Sequence, residues 1–158
     1  MLFPFLLLGG LPASPVNPQN NKHFSHSITT AATPAAIWTV WTEVNKWQNW
    51  DSGLSFAMMK GPFELGAKGT ITSLEGRKST FRVVEIEQGS SYTFKTNLPL
   101  GGLYVRRSLT TENGLTTFTH EVWFTGLSGG LFARQFGPKF RAMLPGVMEA
   151  VVNIAEGM

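Results

Sequence analysis

The chain has 158 residues, of which 42% are hydrophobic and 15% are charged, and its net charge is +3. This composition is that of one folded domain and excludes an intrinsically disordered chain. The Lys and Arg residues never form a run longer than two, whereas nucleic-acid binding needs a denser basic stripe, so we predict no nucleic-acid partner. Because the sequence has no cysteine, disulfides and thiolate chemistry are excluded.

The first 22 residues differ in composition from the rest. Residues 2–8 are apolar, and residues 12–21 are rich in proline and asparagine, as linkers are. We predict an N-terminal apolar extension and linker over residues 1–22 and a folded domain over residues 23–158. The apolar run is too short to span a bilayer, and no basic residue precedes Lys22. We therefore expect a cytoplasmic protein without a transmembrane helix, with export as the alternative if residues 1–13 act as a signal peptide.

The domain begins with a strand and two short helical segments. Residues 24–31 are compatible with a strand. Thr33 followed by Pro34 is typical of a helix start, since threonine caps the free amide groups and proline fits the first helical position. We predict a helix over residues 34–44 and a second, very short turn or helix over residues 47–51.

The middle of the chain is predicted to be a run of short strands. Six segments end at turn residues, among them Asn113-Gly114, a pair typical of tight hairpins because both residues tolerate positive φ. Connections this short join antiparallel neighbours, and no helix interrupts them, which excludes a doubly wound α/β fold. The predicted strands cover residues 54–60, 69–74, 78–87, 91–98, 103–111 and 115–125.

The C-terminal segment is predicted to be a long amphipathic helix. Its apolar residues recur every three or four positions, at Phe132, Phe136, Phe140, Met143, Val147, Val151 and Ile154. Gly137-Pro138 and Pro145 should break or bend it, because proline lacks an amide donor. We expect a first turn over residues 130–136 and a kinked helix over residues 138–156. A strand meander followed by one long helix predicts an α+β fold, in which a curved antiparallel sheet of about seven strands wraps around the C-terminal helix and encloses a cavity.

This order of elements resembles the START-like helix-grip (SRPBCC) superfamily, and within it the polyketide cyclase/dehydrase and lipid-transport branch. The resemblance covers residues 24–156 and implies a deep, largely apolar cavity between the sheet and the last helix. Its members include hydrophobic-ligand carriers, hormone receptors and aromatic cyclases, so the fold does not fix the function. The matching residues are Ile37-Trp38-Thr39-Val40-Trp41, Trp47-Gln48-Asn49-Trp50-Asp51, Gly61-Pro62-Phe63, Gly66, Thr117-Phe118-Thr119-His120-Glu121 and Gly126-Leu127.

Two polar residues are candidates for chemistry in the cavity. His120 shares a strand face with Phe118, Val122 and Phe124, where a histidine could donate to a ligand or act as acid or base; the alternative is a histidine hydrogen-bonded inside the wall. Arg107 could hold a carboxylate, phosphate or enolate on the cavity wall. The alternative that we favour for Arg107 is a snorkelling or salt-bridged residue at the rim.

Aromatic and methionine side chains are the other predicted cavity residues. We assign Trp38 and Trp47 to the core and expect Trp41 and Trp50 to reach the pocket. Ordinary core is the alternative for each residue taken singly. No metal-ligand spacing and no cofactor motif is present, so we expect neither. The complete set of predicted ligand-binding residues is Trp41, Trp50, Met58, Phe94, Arg107, His120, Phe136, Phe140, Met143 and Val147.

Two functions fit these observations. The first is binding of a hydrophobic small molecule such as a lipid, an isoprenoid or an aromatic compound. The alternative is a cyclase- or dehydratase-like enzyme that uses His120 and Arg107 for proton transfer. A third hypothesis is an interaction module, with a homodimer in which the apolar N-terminus occupies a neighbour's pocket.

Overall fold

A computed structural model describes residues 19–158 of the chain. The predicted extension over residues 1–22 therefore lies largely outside the described residues. The described part contains seven strands, two α-helices and one short 3-10 helix. In chain order they are β1 (His23–Thr30), α1 (Pro34–Thr42), the 3-10 helix (Val44–Asn49), β2 (Leu54–Met59), β3 (Lys68–Ser73), β4 (Lys78–Glu87), β5 (Ser91–Leu98), β6 (Gly101–Glu112), β7 (Leu115–Gly126) and α2 (Gly129–Glu156).

The seven strands form one antiparallel sheet in the order β1-β7-β6-β5-β4-β3-β2. Strands β2 to β7 pair with their neighbours in sequence, and β1 joins by pairing with β7. Asn113 and Gly114 both have positive φ, as the predicted tight hairpin requires. This sheet with one long C-terminal helix confirms the predicted α+β helix-grip fold.

Helix α1 starts where the sequence indicated. The Thr33 side chain accepts a hydrogen bond from the Ala36 amide at 3.1 Å, and Pro34 occupies the first turn. The helix buries Ile37, Val40 and Trp41, and the chain then continues directly into the 3-10 helix. These two helices close one side of the sheet.

Helix α2 is continuous, and the predicted break at Gly137-Pro138 is wrong. The helix runs without interruption over 28 residues and contains both Pro138 and Pro145. The two prolines are exposed and lie seven residues apart, about two turns, so they share a face. Each proline removes the donor for the carbonyl four residues earlier, in Arg134 and Arg141, and both of these residues are exposed, so water can satisfy the freed carbonyls.

The turns of the meander alternate between the two ends of the sheet. The β3–β4 and β5–β6 turns and the β7–α2 connection lie at one end, which we call the open end. The β2–β3, β4–β5 and β6–β7 turns lie at the other, the opposite end. No helix within residues 19–158 is long and apolar enough to cross a membrane.

Candidate functional site

A cavity of about 480 Å³ lies between the inner face of the sheet and α2. Its size is in the usual range for small-molecule sites, and its lining is mostly apolar. Strand β7 contributes His120, Val122 and Phe124, the face predicted from its alternation, and β6 contributes Leu103, Val105 and Arg107. Of the predicted set, the residues that line the cavity are Phe94, Arg107, His120, Phe136, Phe140, Met143 and Val147.

Arg107 is the centre of the polar part of this cavity. Only 3% of it is exposed, so the predicted rim position is wrong. Its guanidinium carbon lies 4.7 Å from the ring centroids of both Trp47 and Trp50, and 5.3 Å from that of Phe94. Such cation–π contacts stabilise a buried positive charge without an acidic partner in direct contact.

The guanidinium is also held by a hydrogen-bonded chain. Arg107 Nη1 donates to the Tyr92 hydroxyl at 2.6 Å, and that hydroxyl donates to the Trp41 carbonyl at 3.0 Å. The Trp47 indole donates to the same carbonyl at 2.9 Å. Burial raises the pKa of Tyr92, against the opposing charge of Arg107, so the phenol stays protonated and can donate. This chain fixes Arg107 in place.

One donor of Arg107 has no hydrogen-bond partner among residues 19–158. Arg107 Nε is buried and unpartnered, as is Nε2 of His120. The two residues face each other across β6 and β7 in the sheet register, and both line the cavity. The indole Nε1 atoms of Trp41 and Trp50 behind them are also buried and unpartnered within the described residues, but those residues do not line the cavity. Buried polar atoms are normally satisfied, so Arg107 and His120 are the unpartnered polar groups that a molecule in the cavity could reach.

His120 is neutral at ordinary pH. It is 1% exposed and contacts the rings of Trp41 and Phe118, each at 5.7 Å between centroids. Burial lowers its pKa well below 6.5, and the positive charge of Arg107 and a contribution from His26 act in the same direction. A neutral imidazole can accept or donate one proton, which is compatible with binding and with catalysis.

Asp51 is one of two carboxyl groups that line the cavity; the other, Glu75, is exposed. Asp51 caps a turn, as its Oδ1 accepts from the Gly53 amide at 3.0 Å, and it also lines the cavity. Desolvation raises its pKa, while the charge of Arg107 and the Gly53 hydrogen bond act in the opposite direction. No hydrogen bond or ion pair joins Asp51 to Arg107 in the described part of the chain. Asp51 therefore acts on the guanidinium through its charge and not through a direct ion pair.

Three predicted residues do not line the cavity. Trp41 and Trp50 are fully buried, but their rings lie behind His120 and Arg107 and support them from the core. Met58 is 39% exposed because it lies on the outer face of β2, between the buried residues Ala57 and Met59. Because nearly all residues of β2 are apolar, its sequence does not show which of them face inward.

Three cavity-site residues were missed or misassigned. Trp47, predicted as core, is buried and also lines the cavity; Asp51 lines the cavity; and Tyr92 holds Arg107 by a hydrogen bond. The sequence does predict the position of Tyr92, because it lies two residues before Phe94 on β5 and therefore shares its face. For Trp47 and Asp51 the position depends on how the 3-10 helix packs, which periodicity does not give.

The open end of the cavity is lined by phenylalanine rings of α2. Phe132, Phe136 and Phe140 stack in sequence at 6.0 Å, and Phe140 stacks on Phe124 of β7 at 6.4 Å. Lys139 and Glu75 form an ion pair at 2.5 Å that joins α2 to the β3–β4 turn. Within residues 19–158 no three His, Asp or Glu side chains converge in a way that could hold a metal ion.

Known proteins share this sequence pattern and this fold. Residues 21–154 match the family model described as polyketide cyclase / dehydrase and lipid transport, which confirms the resemblance seen in the sequence. No curated protein sequence matches the chain.

Similar solved structures are of low sequence identity. Protein MLL2253 from Mesorhizobium loti has a TM-score of 0.70 at 15% identity, with 86% of this chain and 98% of that chain covered. Ara h 8.0201 has a TM-score of 0.67 at 11% identity, with coverage of 86% and 98%. DynU16, described as a putative protein in the dynemicin biosynthetic locus, has a TM-score of 0.65 at 17% identity, with coverage of 85% and 47%. At these identities the likeness is one of fold.

Proposed function

Because the chain belongs to the polyketide cyclase / dehydrase and lipid transport family, we propose that it binds a hydrophobic small molecule in the cavity, with an acidic or carbonyl group of that molecule beside Arg107. The observation that carries this proposal is the buried guanidinium, whose Nε has no partner among residues 19–158, on the wall of a mostly apolar cavity. The ligand class is a lipid, an isoprenoid or an aromatic, polyketide-like compound.

The chemistry of the lining supports this class. Most of the ligand would contact Leu103, Val105, Phe136, Phe140 and similar apolar side chains, which stabilise it through buried area. A single charge-assisted hydrogen bond from Arg107 would orient it. A strongly polar molecule fits poorly, because the lining offers it few hydrogen bonds.

Two related dyes test the role of Arg107. 1-Anilinonaphthalene-8-sulfonate carries an anionic group, and N-phenyl-1-naphthylamine has the same ring system without it. We expect the native protein to bind both, and Arg107→Met to weaken sulfonate binding by about 10-fold or more, the equivalent of roughly 1.5 kcal/mol, with the neutral dye within about twofold of wild type. Arg106→Met is the matched control, since Arg106 is its exposed neighbour on the other face.

The dye experiment has two outcomes against the proposal. If the folded protein binds neither dye, the cavity is not a hydrophobic-ligand site. If Arg107→Met and Arg106→Met weaken the sulfonate dye equally, the effect is surface charge and Arg107 does not contact the ligand. Mass spectrometry of compounds released from the natively purified protein then identifies the natural ligand class.

A second candidate function is catalysis of dehydration or cyclisation. It is favoured by one observation: Arg107 and a neutral His120 are register partners on the same cavity wall. His120 would remove a proton next to one ketone of the chain, and Arg107 would stabilise the enolate oxygen. The enolate carbon would attack a second ketone of the same chain, and the protonated imidazole would return its proton to the oxygen that becomes a hydroxyl or leaves as water. The test is incubation with a poly-β-keto thioester, which has the ketones that this reaction needs, with products analysed for loss of water or ring closure. Conversion that disappears in folded His120→Ala supports an enzyme, and unchanged thioester supports a carrier.

A further inference from the structure

Exposed leucines are concentrated at the open end of the domain. Five leucines within residues 19–158 are more than 60% exposed, and four of them lie at this end. Large exposed apolar groups that lie together mark interaction surfaces more often than single ones do. The four are Leu74 at 62%, Leu100 at 76%, Leu127 at 91% and Leu131 at 67%.

The turns that present these leucines are held together. The Ser128 side chain donates to the Pro99 carbonyl, and the Ser128 amide donates to the Leu100 carbonyl at 3.4 Å. Gly101 and Gly126 are register partners, and a Cβ on Gly126 would collide with the Leu100 carbonyl. Leu100 and Leu127 therefore lie in two adjacent turns that are hydrogen-bonded to each other, and Leu131 is one helical turn further along α2.

The same end is positively charged. The described basic residues there are Lys22, Arg77, Lys78, Arg134 and Lys139. Glu75 is the exposed acid among them and pairs with Lys139, while the Asp51 carboxyl lines the cavity.

The opposite end carries the contrary charge. The β2–β3 loop contains Glu64, and Glu87, Glu112 and Glu156 end β4, β6 and α2 there, while Lys60 and Lys68 are the cations beside Glu64. The domain is therefore electrically polar along the axis of the cavity. This separation arises from the fold, because the sequence distributes the charges over the whole chain.

We propose that the open end docks onto a membrane surface that contains anionic lipids. The leucines would insert among the lipid headgroups, and the surrounding lysines and arginines would pair with lipid phosphates. The mouth of the cavity, between the β3–β4 turn and the phenylalanine stack of α2, would then face the lipid. Docking of this kind would place a hydrophobic ligand in the membrane next to its binding site.

Vesicle binding by the full chain tests this inference. The protein is mixed with phosphatidylcholine vesicles, with and without about 30% phosphatidylglycerol, and the bound fraction is measured by flotation. We expect at least about fivefold more protein on the anionic vesicles at low salt, and loss of this preference at about 500 mM NaCl.

Leucine variants locate the surface. Leu100→Ser combined with Leu127→Ser should reduce binding to anionic vesicles at least about fivefold. The matched control combines Leu65→Ser with Leu115→Ser, which changes two exposed leucines at the opposite end and should leave binding unchanged. Binding of the neutral dye by the open-end variant shows that it is folded with its cavity intact.

Three results would overturn the inference. Wild-type protein could fail to bind anionic vesicles. Open-end and control variants could bind equally, which would assign membrane binding to residues 1–18 or to another face. A wild-type dimer that ignores vesicles and dissociates in the open-end variant would show that a second copy covers the leucines. In each case dye binding measures the cavity separately, so failure of docking and failure of ligand binding are distinguishable.

Discussion

The two ends of the cavity are built in different ways. The polar end is fixed. Arg107 lies between indole rings and donates a hydrogen bond to the Tyr92 hydroxyl, which in turn donates one to a backbone carbonyl of α1. The open end consists of half-buried phenylalanine rings on successive turns of α2, which stack on one another and pack against apolar neighbours such as Phe124, with the Arg77 guanidinium 4.8 Å from the Phe136 ring centroid. A fixed positive charge orients one polar group of a ligand and selects for that group, whereas rings that can shift accept apolar ligand tails of differing shape. The contrast suggests strict recognition of one group and tolerance of the remainder.

The largest effect should come from removing a ring at the polar end. Trp47→Ala removes a ring that is 1% exposed, stacks on Phe81 at 5.1 Å and contacts Arg107. We expect a loss of about 3–5 kcal/mol in the free energy of unfolding, measured by urea denaturation. Phe140→Ala, at the open end, should cost only about 1–2 kcal/mol because that ring is half-buried. Equal losses of unfolding free energy in the two variants would contradict the difference between the polar end and the open end.

An intermediate effect should appear in the pH dependence of stability. The pKa of His120 is lower in the folded state than its ordinary value of 6.5, so the unfolded chain binds the proton more readily. The corresponding stability is therefore fully present above pH 6.5 and is lost below it, at about 1.4 kcal/mol per pH unit.

The measurement compares wild type with His120→Gln by urea unfolding at about pH 7.5 and about pH 5.5. Wild type should lose about 1.4 kcal/mol more than the variant between these conditions. Other titrating groups, Asp51 included, are present in both proteins and cancel in the difference. Identical pH profiles would mean that His120 is not protected from protonation.

The smallest effect should come from the ion pair at the mouth. The hydrogen bond from Lys139 lowers the pKa of Glu75 to about 2, yet both side chains are well exposed. Solvent and salt screen such pairs, so Lys139→Gln should leave the urea midpoint unchanged within error. A clear shift would show that the tie between α2 and the β3–β4 turn supports the fold as well as bordering the cavity.

The fold could be predicted from the sequence because its signals are local. Thr33-Pro34 begins a helix, Asn113-Gly114 makes a hairpin, and the alternation in β7 assigns His120 to the inner face. The continuity of α2 was not predictable from its prolines alone. Whether a proline breaks a helix depends on whether the freed carbonyl meets water, and that depends on the packing of the whole helix.

The cavity residues were predictable where they lie on regular strands or on α2. Arg107 alternates in step with Leu103 and Val105 along β6, which predicts the inner face of the sheet but not the 3% exposure of the side chain. A single-sequence pattern shows that a charge faces inward without showing the rings that stabilise it there. Two of those rings come from the 3-10 helix and its C-cap, where Trp47 lines the cavity and Trp50 does not, and no periodicity separates the two.

Pairing between β1 and β7 brings together the two ends of the described chain. Ser27 and Thr119 share a hydrogen bond across 92 residues, whereas strands β2 to β7 are joined to their neighbours by short turns. Short-range pairs form quickly in folding, and a contact of such long range forms late, since its loop must close first. Helix α2 then packs on β7 and β1. We therefore expect the cavity between the sheet and α2 to be complete only late in folding.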